Sequence, residues 1–250
     1  PEPVVEEATP DAAPASEPST KAWTMADGRS FEAEFVNIIG GKAVFKTHRG
    51  KFHKISLADL SATDLEYIEL SRPPDLDLNF KRNMQQVTFT GGFYGTSGFG
   101  MEDFWARPPE TLGRFGTRIK QTSTGDYNHE LHAEIFAIGL QRTIPDKHYL
   151  LLDRQLTTFT LTKDNQRSHE FKSGHEAVLA NFEVYSQPRG EKYFGYLIVV
   201  RDSRGEIIAV NASNDWLAEH RENLEKLAVG NYFDETGMRV YPGRPRPLWK

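Results

Sequence analysis

Four glycines in the first fifty residues constrain this chain most: Gly28, Gly40, Gly41 and Gly50. Asp27-Gly28 and Gly40-Gly41 are pairs able to take the positive φ values that two-residue hairpin turns demand. His48-Arg49-Gly50 supplies a third turn, with Gly50 at the left-handed position of a longer loop. The runs between these turns alternate in polarity, as half-buried strands do. Phe31, Ala33 and Phe35 share one face and Glu32 and Glu34 the other. Ala43 and Phe45 oppose Lys42, Val44 and Lys46, while His53, Ile55 and Leu57 oppose Phe52 and Lys54. Tight connections at this spacing predict a small antiparallel barrel that closes its own edges.

A helix is predicted to end this module. Ser61 is its N-cap, Asp64 at the third position is a short version of the capping-box acid, and Leu60 and Leu65 are placed to form a hydrophobic staple. Leu65 and Ile68 lie on one face, ready to cover an open end of the barrel. Pro73-Pro74 stops the helix, since proline lacks the donor and restricts the residue before it. A barrel of about fifty residues is marginal alone and is expected to lean on a neighbour.

The order Trp23, Asp27-Gly28, Phe31-x-Ala33-Glu34-Phe35, Gly41-Lys42, Gly50-Lys51, Ile55-x-Leu57-x-x-Leu60-Ser61-x-x-Asp64-Leu65-x-Tyr67-Ile68 resembles the Sla-one homology domain of the SHD-one type. The resemblance covers residues 22–70 and is carried by turn, core and cap positions. It implies an SH3-like barrel and, from the family's endocytic adaptor, recognition of Asn-Pro-Phe-x-Asp peptides. Similar modules stand at the N-termini of many bacterial proteins. The peptide-contacting residues of that family have no one-to-one match here.

One stretch of the module bears on binding. Between Gly40 and Lys54 lie Lys42, Lys46, Arg49, Lys51 and Lys54, with His48 and His53 and no acid. Two readings stand: a solvated hairpin face, or a basic surface that steers an acidic peptide or polymer. The acids that follow (Asp59, Asp64, Glu66, Glu69) are placed to neutralise that face.

Two hundred and fifty residues allow one large domain or two ordinary ones. The composition is 38% hydrophobic and 12% aromatic, enough for a core, although the mean hydropathy of −0.56 is polar. A net charge of −5 argues against a nucleic-acid partner, whose binding footprint is basic. No apolar run approaches the roughly twenty residues of a membrane span. The chain has no cysteine, which excludes disulfides, thiolate metal sites and a cysteine nucleophile.

The chain opens on Pro1 rather than Met, so an upstream piece is expected to have been removed. Residues 1–20 hold five prolines and five acids (Glu2, Glu6, Glu7, Asp11, Glu17) without lysine or arginine. Such a segment cannot bury enough apolar surface to offset its ordering entropy. Residues 1–21 are therefore expected to be a disordered spacer between an export signal or lipid anchor and the folded part, in a periplasmic, envelope-anchored or secreted protein. A tail on a cytosolic protein is the alternative.

The expected fold class is mainly β: an SH3-like barrel at residues 22–72, a linker at 73–84, and an antiparallel β-sandwich at 85–236 with one C-terminal helix. Strands are expected at 85–90, 117–122, 129–138, 149–152, 157–162, 181–186, 193–201 and 206–212. Turn signals at 124–126, 163–165, 188–190 and 203–205 separate them. Ser213 or Asn214 caps the helix, Leu217, Leu224, Leu227 and Ala228 recur at helical spacing, and Gly230 ends it. Residues 237–250 read as an extended basic tail with Trp249 as a possible anchor.

No catalytic constellation stands out, and neither metal nor cofactor is expected. His129 and His132 are three residues apart, whereas a zinc helix needs four, and in a strand they point to opposite faces. His169 and His175 read as surface histidines flanking a loop. The glycine-rich run 91–100 lacks the Gly-Lys-Ser/Thr ending of a phosphate loop and the Gly-x-Ser-x-Gly elbow. Its aromatics (Phe93, Tyr94 and Phe99, with Trp105 nearby) pack together or form an exposed platform for a sugar or peptide. The reading favoured is a non-enzymatic protein- or peptide-binding or scaffold protein, with a carbohydrate-binding sandwich second and a hydrolase of unidentified site third.

Overall fold

The computed structural model describes residues 20–88, 92–96, 102–106, 110–124, 127–142, 147–184 and 187–242. Residues 92–96, 102–106, 181–184 and 187–188 are described by their backbone. The chain is mainly β and divides into two units between Arg72 and Pro73.

The first unit is a curled sheet of four antiparallel strands, β1 (Lys21–Thr24), β2 (Ser30–Ile39), β3 (Lys42–Lys46) and β4 (Phe52–Ser56), in that spatial order. The turns fall at the glycines: Gly40 and Gly41 take φ of 59° and 75°, and Gly50 takes 73°. A bulge between Phe35 and Asn37 sharpens the curl of β2. After a 3-10 turn at Leu57–Asp59, Leu60 bridges back to Met25, and Ser61 N–H donates to Thr24 O at 2.9 Å. The half-barrel's ends are thus joined by a single bridge, Met25 to Leu60.

Helix α1 (Ala62–Leu70) starts at Ser61, whose Oγ accepts from Asp64 N–H at 3.2 Å. Asp64 does not complete a capping box, because the Ser61 N–H is already spent on Thr24. Trp23, Ala33, Ala43, Phe45, Leu60 and Ile68 form the core. The Trp23 ring meets Phe45 edge-on at 4.8 Å and its indole N–H donates to Ala33 O at 2.8 Å. That bond satisfies the one polar atom of a fully buried ring.

The second unit holds a ten-stranded antiparallel sheet and a separate hairpin. Its strands are β5 (Leu76–Val87), the hairpin strands β6 (Gly92–Thr96) and β7 (Glu102–Ala106), then β8 (Glu110–Gln121), β9 (Tyr127–Gln141), β10 (Tyr149–Leu161), β11 (Ser168–Lys172), β12 (Ala177–Val184), β13 (Gln187–Arg201) and β14 (Ile207–Ala212). Short helices α2 (Asp215–Glu219) and α3 (Arg221–Leu224) precede β15 (Tyr232–Phe233) and β16 (Arg239–Val240). One edge of β8 carries β5; the other is shared by β11 and β12. Strand β12 crosses to β13, which pairs with β9 and β14. The halves fold face to face, sandwich-like, around Phe115, Ala137, Leu152, Ala177 and Leu179. The opposite face of β9, β10 and β13 is covered by Leu217, Leu224 and Leu227.

Several boundaries differ from expectation. The predicted linker 73–84 is mostly β5, which pairs along its whole length with β8. Leu78, Phe80 and Met84 alternate toward the core, but the polar residues between them hide the pattern. The predicted strands 149–152 and 157–162 are one strand, β10, whose register shift at Leu152 swaps the faces. Pro188, Arg189 and Gly190 lie in the β12–β13 ladder rather than in a turn. The predicted helix breaks at His220 and stops at Leu224, well before Gly230. Segments this short do not hold alone; the burial of Leu217 and Leu224 holds them. In the predicted tail 237–250, Arg239 and Val240 pair with β15, and residues 243–250, including Trp249, lie outside the described residues.

Candidate functional site

Strands β3 and β4 set the geometry of the basic hairpin. Ala43 and Phe45 face the core, so Lys42 and Lys46 must face out. The register places Val44 beside Lys54 and Lys46 beside Phe52 on that outer face. Arg49 and Lys51 sit in the connecting turn, held by Thr47 N–H to Lys51 O at 2.9 Å. All five cations are exposed, and Phe52 among them is 62% exposed. Ile39, paired with Lys42, is also exposed.

Among the described residues, no carboxylate ion-pairs with Lys42, Lys46, Arg49, Lys51 or Lys54. Glu34, opposite Lys46 in the ladder, is the acid nearest in register. The helix acids do not all neutralise this face, since Asp64 is turned inward onto Lys21 at 2.8 Å. The result is a cationic surface with an exposed aromatic ring beside Lys46.

The aromatic run is brought together in part. Backbone register in β6 and β7 sets Phe93 opposite Trp105 and Tyr94 opposite Phe104. Phe99 lies outside the described residues.

The histidines take other roles. His132 Nδ1 lies 3.1 Å from Thr158 Oγ1, and His129 packs edge-on against Tyr127. His169 belongs to β11, just ahead of the loop it is expected to flank, and is half-buried rather than a free surface histidine: it stacks on Phe159 at 4.6 Å and contacts Thr157 Oγ1 through Nε2 at 3.1 Å. Burial lowers its pKa, which keeps the ring neutral near pH 7.

Two features of the second unit escape sequence reading. One is a buried charge network: Glu134 is held by Arg154 at 2.6 Å and by Arg201 at 3.5 Å, and Arg201 also pairs with Glu225. The other is a cleft of about 340 Å³ between β5, β8 and the end of β11, bordered by cations from all three. Those cations stand far apart in the chain, so no local motif announces them.

The sequence matches no family model and no curated protein. Among solved structures, a crystal structure from Akkermansia muciniphila is similar over 57% of this chain and 73% of that one, at 11% identity and a TM-score of 0.21. A likeness that remote bears on neither fold nor activity.

Proposed function

We propose that this is a non-enzymatic binding or scaffold protein of the bacterial envelope, whose first unit captures an acidic peptide segment on the β3–β4 hairpin. The observation that carries the reading is the set of five cations, none ion-paired with a described carboxylate, around the exposed ring of Phe52. Clustered unpaired charge raises the on-rate for an acidic partner, and an exposed aromatic supplies the apolar anchor such surfaces use. The resemblance of residues 22–70 to the Sla-one homology domain supports the same reading and suggests peptides carrying Phe next to an acid, of the Asn-Pro-Phe-x-Asp kind.

The test is a binding titration of the whole chain against Asn-Pro-Phe-x-Asp peptides and other acidic peptides. The K46Q/R49Q/K51Q variant is expected to bind about tenfold or more weakly, with wild-type affinity falling as salt rises. Equal affinity of variant and wild type, or no binding by any peptide, removes the hairpin from the argument. The backbone register of Phe93 against Trp105 favours a second reading, a carbohydrate platform on β6 and β7, for which a glycan array is the test.

A further inference from the structure

The basic cleft of the second unit lies where β5, β8 and the end of β11 meet at Gly116. On the outer face of β8 the residues run Arg114, Gly116, Arg118, Lys120, and the β11 backbone packs so closely on Gly116 that a Cβ there would collide with Phe171 O. Across the ladder, Gly116 is paired with Lys81 of β5 on one side and Lys172 of β11 on the other. Adjacent strands lie ~5 Å apart, so the two lysine backbones stand ~10 Å from each other, within reach of one central point. Arg114 adds a guanidinium group from the same face, and Asn83 and Ser173 add neutral polar groups; Arg82, also at the cleft, pairs with the inward-facing Phe115. Among the described residues, no carboxylate lines the cleft. Its volume, about 340 Å³, falls within the range of small-ligand sites.

Two carboxylates approach from outside. Glu170 takes Lys81 at 2.5 Å, and Glu176 takes Arg114 at 2.6 Å. Lys172 has no described ion-pair partner, and Arg82 rests over the Tyr193 ring at 4.6 Å. A visiting anion must therefore outbid singly charged carboxylates that the chain itself supplies. Coulomb attraction scales with charge, which favours a multiply charged ligand. The guanidinium fork of Arg114 matches two oxygens of such a group.

We propose that this cleft binds a tetrahedral oxyanion, a phosphate or sulfate ester group carried on a small ligand. It is a second site, independent of the hairpin in the first unit.

The experiment follows backbone amide NMR signals of Gly116, Lys172 and Ser173 in the whole chain. Inorganic phosphate, sulfate and acetate are titrated separately at constant ionic strength. Saturable shifts with phosphate or sulfate, and not with acetate, are expected; which of the two binds more tightly names the source. Lys172→Gln should weaken binding about tenfold and Glu170→Gln should tighten it, because the competitor for Lys81 is gone. Lys120→Gln, on the same face but ~14 Å along β8, should leave binding unchanged. Lack of a saturable shift with either oxyanion, or equal weakening by Lys120→Gln and Lys172→Gln, overturns the proposal.

Discussion

Lys21 Nζ donates to Asp64 Oδ1 at 2.8 Å, tying the first strand to the first turn of α1. The other carboxylate oxygen accepts Thr24 N–H at 2.6 Å, and the Lys21 ammonium also lies 3.7 Å from the Tyr67 ring centre. One buried side chain thus joins the strand, the helix and the aromatic core of the unit.

Replacing Asp64 with Asn should therefore loosen the first unit by about 2 kcal/mol at pH 7. Burial alone would raise the pKa of this carboxyl, but Lys21, the Thr24 N–H and the Ser61 hydroxyl outweigh it and hold it below 3.8. A depressed folded pKa means that the stabilisation is present above the unfolded value and fades as pH falls through the folded one. Urea titrations read from the amide signals of Trp23 and Ala33 should show wild type and Asp64→Asn converging below pH 3.8. A pH-independent gap between them would refute the assignment.

Phe52 offers the opposite combination. Its ring is 62% exposed, so Phe52→Ser should change stability by less than about 0.5 kcal/mol. Peptide capture should nevertheless fall severalfold if the ring is the anchor of the basic hairpin. Thermal melting and binding are measured on the same sample, and a variant that melts early but binds normally contradicts both halves.

Glu134 is 5% exposed and serves two arginines. Glu134→Met leaves the half-buried Arg154 without its counter-charge, at a cost of about 2 kcal/mol. The double variant E134M/R154M should cost less than the single one, because Arg201 retains Glu225 and an apolar pair replaces the broken one. Denaturant midpoints of the three proteins decide it; simple additivity would show that the network is not coupled.

Gly195 sits at the register shift of β13, where Ser213 Oγ accepts the Tyr196 N–H at 3.0 Å. A Cβ there would collide with that hydroxyl. Gly195→Ala should cost roughly 2 kcal/mol, and adding Ser213→Gly should recover part of it. Equal melting temperatures of Gly195→Ala and wild type would rule out the close approach.

Tyr149 and Tyr193, both pushed up to about 12 by burial, share the alkaline limit. At Tyr149, burial acts with help from Glu235 at 3.1 Å. A raised folded pKa gives stabilisation that is complete below pH 10 and is lost as pH rises toward 12. Tyr149→Phe should reduce the alkaline slope across that window, and the double change with Tyr193→Phe should reduce it further. An unchanged alkaline slope in a pH series of melting temperatures would count against it.

The early turns, the alternation in β2 and β3 and the Ser61 cap were all readable from residue order, because each depends on neighbours a few positions away. A glycine at positive φ or a serine three residues ahead of an acid carries its instruction locally. Strand β5 did not, since its polar residues look like a linker until β8 lies beside it. The hairpin cations could be named from their order, but the exposure of Phe52 and the diversion of Asp64 to Lys21 required the fold.

Composition and local pattern determined that this chain is mainly β, that it begins with a glycine-turned curled sheet, and that α1 starts at Ser61. Only tertiary pairing decided that Pro188 lies in a ladder, that β10 is one strand and not two, and that Lys81, Arg114 and Lys172 meet around Gly116. The physical reason is range: a turn or a cap is fixed by backbone sterics within a few residues, whereas register and charge convergence depend on which distant strand arrives alongside.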